Sequence, residues 1–248
     1  MAKWEATVTA YLATGACPAA TPGLADEGIN VGLVGAPLQM PPPIEEAPQS
    51  FVKFFGTSTK RIDRSMETFE EVSRTGNHWA VTYPRGKRPR RVQEGAILFM
   101  GRMVKDPSDI LIYGRAIGMK HVPGRDDATA EDIARRPSKG DWPHYIRVHH
   151  AEFLAGTLAN GISLKDLMDA LKSDAFMPTQ RNAAKGEGNT DPRKAYMQQA
   201  VVELTPQANA WLNERLQAAH AQHGKLAPAT LGQLDWPDVP VIAVEGAG

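Results

Sequence analysis

Between Asn77 and His150 the chain is a succession of short extended segments, and that rhythm constrains its fold more than anything else in it. Asn77-His78-Trp79-Ala80-Val81-Thr82-Tyr83 alternates with period two, and Tyr145 to Phe153 alternates again. Between them lie two apolar runs, Ala96 to Met100 and Asp109 to Gly118. Successive side chains of a strand point to opposite faces, so alternation suits a half-buried strand and a continuous apolar run suits one covered on both faces. Ser50 to Phe55 is a further β-type run, closed by Gly56-Thr57-Ser58-Thr59, and Gln199 to Leu204 reads as another.

Helices interrupt the strands. Asp63 is placed to cap a helix to about Arg74, with Ile62, Met66, Phe69 and Val72 near one face. Ala130 to Arg135 suits a short helix. Ser163 caps another, with Asp166 at the capping-box position and Leu164, Leu167, Met168 and Leu171 as its apolar stripe. Thr205 and Pro206 supply an N-cap and a first helical residue for a helix to about His223. Pro178 to Pro192 is polar and reads as a loop. The expected class is α+β: a small mixed β-barrel flanked by helices.

Three regions follow. Residues 1–49 form an Ala/Gly/Pro-rich arm ending near Pro41-Pro42-Pro43, a composition that builds no core of its own. Residues 50–225 form the folded domain, and residues 226–248 read as an extended tail. No run reaches the roughly 18 apolar residues of a membrane span, and the N-terminus does not read as a signal peptide. A single cysteine, Cys17, excludes an intrachain disulfide framework or zinc ribbon, and a cytoplasmic location is expected.

The net charge of zero hides an uneven distribution. Residues 1–50 hold one cation and five anions, a balance of −4. From Val81 to Arg125 there are ten cations and three anions, a balance of +7. Five of those cations fall within seven residues: Arg85, Lys87, Arg88, Arg90 and Arg91, spaced by Gly86 and Pro89. A charge run is usually a solvated loop. This one has no anion within it, and its Gly and Pro suit a loop that follows a phosphate backbone. Aromatic residues lie near it in sequence. Trp79 shares a strand face with Val81 and Tyr83, which suits a core ring as well as a stacking surface. Trp142, between a charged loop and Pro143, is expected nearer the surface, where a ring beside cations can stack on a base.

Catalytic and metal signatures are weaker. His144 and His150 share a strand face by parity, while His149 points the other way. Six strand residues separate the first two by about 20 Å, too far for one metal. Asp141 and Glu152 have the look of a nuclease carboxylate pair, but no lysine follows Glu152 closely. Ser163 is a helix cap without a nucleophile elbow. Cys17 has no histidine beside it. Gly114 to Gly118 is a glycine pattern within a strand, with no phosphate-binding helix after it. No catalytic residue, cofactor or metal is therefore expected.

The order of these segments resembles a known family. Asn77-His78-Trp79-Ala80-Val81, then Val92 to Phe99, then Ile110-Leu111-Ile112-Tyr113-Gly114, then Trp142 to Val148 resembles the EVE branch of the PUA-like superfamily, with Gly95-Ala96 where that branch has a Gly-Asp turn. The flanks resemble the related YTH domain: Phe51 to Ser58 before a helix leading to Asn77 and Trp79, and later Met177-Pro178-Thr179-Gln180-Arg181-Asn182 before a strand and a closing helix. The resemblance spans roughly residues 50 to 220. It implies a PUA-like barrel that reads a modified or flipped base in DNA or RNA within an aromatic cage. Trp79 and Trp142 would then be cage walls, Asn77 or Ser58 would bond the base edge, and Arg181 would contact phosphate. Such a reader suits modification-dependent restriction or recognition of RNA modifications, with a separate effector nuclease acting on the mark. The competing readings are a nuclease or base-modifying enzyme using the same pocket, and a protein-interaction scaffold docking a partner through residues 1–50.

Overall fold

The structure is a computed structural model, and it describes residues 48–56, 60–75, 80–197 and 201–227. The predicted strands, and one at Ile162–Ser163 that was not predicted, pair into one mixed sheet. Strands β1 (Ser50–Phe55), β2 (Ala80–Tyr83), β3 (Ala96–Val104), β4 (Asp109–Gly118), β5 (His144–Phe153), β6 (Ile162–Ser163) and β7 (Val201–Glu203) run in the spatial order β2-β5-β4-β3-β1-β7, with the short β6 pairing β4. Every pairing is antiparallel except β1 with β3, where Phe51 lies opposite Leu98. The sheet curls into a half-barrel with helices on its flanks, and its path is open, with β2 and β7 as its end strands.

Both faces of the central strands are covered, which explains their unbroken apolar runs. Phe51, Leu98, Met100, Tyr113, Ile146 and Phe153 belong to one buried cluster. Their neighbours Val52, Phe99 and Ile112 belong to a second, with Leu164, Leu167, Leu212 and Leu216 from the helices. Adjacent residues thus serve opposite cores, as the pleat requires.

Gly114 has a packing reason for lacking a side chain. A β-carbon there would lie 2.5 Å from the Glu152 carbonyl oxygen and would also strike the Phe153 ring, which stacks on Tyr113. Gly114→Ala is expected to destabilise the fold by roughly 1–3 kcal/mol, the cost of overpacking a filled site. The check is a urea titration, in which the midpoint should fall at unchanged slope.

The helices are α1 (Thr68–Thr75), α2 (Ala130–Arg135), α3 (Leu164–Leu171), α4 (Met177–Lys185), α5 (Pro192–Met197) and α6 (Pro206–His223). The short helix at Ala130 falls as expected, with a full capping box between Thr129 and Asp132. Thr205 caps α6 through Ala208 N–H at 3.1 Å, and Ala208, Leu212 and Leu216 form its buried stripe. Ser163 caps α3 through Asp166 N–H, but its hydroxyl donates in turn to Asp109 of β4, so the cap also ties the helix to the sheet.

Two expectations are corrected. The helix predicted from Asp63 begins at Thr68, because the Asp63 carboxylate accepts from Ser65 N–H at 3.0 Å and closes a local turn instead. Phe69 is consequently exposed while Val72 is buried. The predicted loop Pro178–Pro192 contains helix α4 and leads into α5. Pro178 sits in the first turn of α4, and Gly186 ends it in the left-handed conformation at φ +68°.

Candidate nucleic-acid interface

The basic segment is a loop, and its shape follows from its Gly and Pro. Gly86 has φ +81°, and Lys87 N–H donates to the Pro84 carbonyl at 3.0 Å, as in a type II turn with glycine at its third position. Val92 N–H then donates to the Pro89 carbonyl, and both Pro89 and Val92 are buried. The loop is therefore anchored at its prolines and Val92 while its cations project.

The five cations are not equivalent. Arg85 is pinned: its Nε donates to the Gly140 carbonyl at 3.0 Å and its backbone N–H to the Asp141 carbonyl at 2.8 Å. Arg88 lies 3.4 Å from Asp127. Lys87, Arg90 and Arg91 have no carboxylate partner among the described residues. These three, with Arg88, line a cleft of about 520 Å³. Arg181 lines the same cleft from α4, more than half exposed and 3.8 Å from Glu203 of β7. Phe51, Tyr83 and Val92 supply apolar lining. The structure thus brings Arg181 to the basic loop across a long stretch of sequence.

Beside the cleft is a group the sequence reading passed over. Lys53 of β1 is 2% exposed. Its ammonium lies 5.3 Å from the Phe55 ring centroid, 5.5 Å from that of Tyr83 and 5.3 Å from that of Trp142. Burial holds the amine down, at a pKa of about 8. Tyr83 joins this lysine to the cleft, since its ring faces both. Its hydroxyl is buried without a hydrogen-bond partner among the described residues, and burial pushes the phenol up. A buried ammonium among three aromatic faces attracts π-systems and anions, and an unpaired buried hydroxyl awaits a polar partner. The signal was available: Lys53 interrupts the apolar run Phe51-Val52-Lys53-Phe54-Phe55 on a strand buried on both faces.

Trp142 is exposed by 41%, as expected of it, and forms the solvent side of this lysine pocket. Trp79, Asn77 and Ser58, and also Cys17, lie outside the described residues. Asp141 and Glu152 sit near opposite ends of β5. Glu152 is held by Arg115 at 2.9 Å and by Lys225, and although burial pushes its carboxyl up, those two cations hold it below its usual value. It is an ion-pair residue rather than a free base.

The histidines depart from simple alternation. His149 and His144 are both buried, and His150 is exposed at φ +48°. The register of β4 against β5 shifts between Arg115 and Ile117, so a bulge carries His150 out of the pleat and breaks the parity rule. His149 and His150 then place their Nδ1 atoms in contact with each other. Burial, then the His150 charge, holds the His149 imidazole down.

Among the described residues no helix is long and apolar enough to cross a membrane. No family model and no curated protein matches the chain. Among solved structures it is similar to a hypothetical protein from Leishmania major, at 8% identity over 71% of this chain and 98% of that one, with a TM-score of 0.37. That likeness carries no argument about fold or function, so the site is read from its own residues.

Proposed function

We propose that this chain is a nucleic-acid reader. In this reading the cleft follows the phosphate backbone and a modified or flipped base enters beside Trp142, Tyr83 and Lys53. The observation that carries it is a single juxtaposition. A basic cleft, with three cations free of carboxylates among the described residues, shares the Tyr83 wall with a buried lysine set among aromatic rings. Cations neutralise phosphates, and aromatic faces accept an unstacked base at roughly 1–3 kcal/mol each. Extruding a base costs a few kcal/mol, least for a modified or single-stranded one, which gives the pocket a basis for selection. The fold that accompanies this reading is PUA-like, and the EVE and YTH domains supply its order of elements. A separate effector would act on the bound mark.

The test is the salt dependence of binding to labelled DNA and RNA oligonucleotides, modified and unmodified. Each phosphate neutralised adds about 0.7 to 0.9 to the slope of log affinity on log salt. Lys87→Ala, Arg90→Ala and Arg91→Ala together are expected to flatten that slope by about 2 and weaken all sequences alike. Trp142→Ala is expected to leave the slope intact and abolish preference for the modified strand, by roughly tenfold to a hundredfold or slightly more. An unchanged slope in the triple variant would place the nucleic acid elsewhere. Preserved preference in Trp142→Ala would end its assignment to the pocket.

A further inference from the structure

Behind the basic loop, three potential metal ligands converge from two segments. The Asp127 Oδ1 atom lies 2.6 Å from His144 Nδ1 and 3.5 Å from His121 Nε2. All three ligand atoms fall within 4.8 Å of one another. His121 and Asp127 come from the connection after β4, and His144 opens β5.

The decisive detail is the state of His121. Its side chain is 3% exposed, and its Nδ1 lies 2.9 Å from the Tyr145 carbonyl oxygen. A carbonyl only accepts, so Nδ1 carries the proton, and in the neutral ring Nε2 bears a lone pair. That Nε2 is buried, has no hydrogen-bond partner among the described residues, and faces a carboxylate oxygen. Two lone pairs turned toward each other repel unless a cation lies between them. A ring N–H held by a backbone carbonyl is also the arrangement that orients metal-bound histidines.

Asp127 is prepared in the same sense. Its Oδ2 accepts from Gly124 N–H at 2.9 Å and approaches Arg88, which leaves Oδ1 to face the histidines. The His121 and His144 rings are nearly perpendicular, with centroids 6.1 Å apart. In a tetrahedral site with bonds of about 2.0 Å, ligand atoms lie about 3.3 Å apart. The 3.5 Å separation matches that spacing, and the 2.6 Å contact is a hydrogen bond from His144 Nδ1 to Asp127 Oδ1 that the ion replaces, with release of the Nδ1 proton.

We propose that His121 Nε2, Asp127 Oδ1 and His144 Nδ1 bind a divalent transition metal of the zinc class. Two imidazoles and one carboxylate form a nitrogen and oxygen donor set suited to zinc, cobalt or nickel rather than calcium or magnesium. The ion clamps the connection after β4 onto the start of β5 and adds positive charge beneath Arg88. The site stands independently of the reader proposal.

The experiment titrates zinc and cobalt into the full chain after chelator treatment, followed by calorimetry and by the visible absorption of cobalt. One equivalent is expected to bind, with the intensified absorption of a four-coordinate site, and to raise the melting temperature. His121→Gln and Asp127→Asn should each weaken binding by at least about a hundredfold, while His223→Gln should not. Both variants are to be checked for a cooperative melt. If either melts without cooperativity, the wild-type cobalt spectrum decides alone. Absence of a saturable, four-coordinate cobalt spectrum in the wild type would overturn the proposal, as would binding that survives in folded His121→Gln.

Discussion

Lys53→Met is expected to stabilise the protein at neutral pH and to weaken its ligand binding. Burial lowers the folded-state pKa of this lysine from 10.5 to about 8. Between those values the unfolded chain binds more protons than the native one, so stability rises with pH across that window. Below about pH 8 the native state carries the full penalty of a buried ammonium. The shift corresponds to about 3 kcal/mol, at 1.36 kcal/mol for each pKa unit. Methionine fills a similar volume without the charge, so it should recover about 2–3 kcal/mol at pH 7 and almost nothing near pH 10.5. For a folded domain of this size, each kcal/mol moves the melting temperature by about 2–4 °C.

Thermal melts of wild type and variant at pH 7 and pH 10 check both the gain and its disappearance. A variant less stable than wild type at pH 7 would show that Phe55, Tyr83 and Trp142 hold the ammonium more favourably than water does. If the reader proposal holds, the same substitution removes the cation beside the base pocket. A gain in stability with a loss of affinity is the pattern of a residue kept for binding.

What could be read from the sequence divides along physical lines. The strands at Ser50, Asp109 and Tyr145 and the helices capped by Ser163 and Thr205 were legible because their apolar spacing and caps agree. Helix α4 was not. Its residues Gln180, Arg181, Asn182 and Lys185 present no apolar stripe, and only Thr179 is buried. Its limits were nonetheless written in Pro178 and Gly186. Parity failed at His150 because a bulge leaves no mark in residue type. Alternation along one strand also says nothing of what other segments bring to His144. Its partners His121 and Asp127 arrive from a preceding connection, and only tertiary structure brings them together. Arg181, given a phosphate role through a resemblance alone, lines the cleft with the basic loop. Lys53 is the instructive omission, because one cation inside a doubly buried strand signals a site more strongly than five in an exposed loop.

Asp126→Ala is expected to cost about 3–5 kcal/mol, the largest loss of any substitution considered. The Asp126 carboxylate is 1% exposed and accepts four hydrogen bonds. Arg125 donates through Nε at 3.0 Å and Nη2 at 2.8 Å, Arg147 through Nε at 2.8 Å, and Val122 through its backbone N–H at 2.8 Å. Together they fasten the connection after β4 to β5. Alanine would remove the Asp126 charge that the Arg147 guanidinium, on a side chain 13% exposed, faces at 2.8 Å. Removing one partner of a buried pair costs more than the pair contributes, because the remaining charge stays desolvated. Burial pushes the Asp126 carboxyl up, but the hydrogen bonds from Arg125 and Val122 and the charges of Arg125 and Arg147 outweigh it and hold it low. Its contribution is therefore complete above the unfolded value of about 3.9 and is lost as pH falls through the folded one. Urea titrations at pH 7 and pH 3 test both parts. Wild type should lose stability on acidification, and Asp126→Asn should lose less, since it has no proton to take up. A loss below about 1 kcal/mol for Asp126→Ala at pH 7 would mean that water replaces the carboxylate. The neighbouring ligands add a second readout. Asp127 and His144 take their positions from this fastened connection, so Asp126→Ala should also weaken zinc binding without removing any ligand.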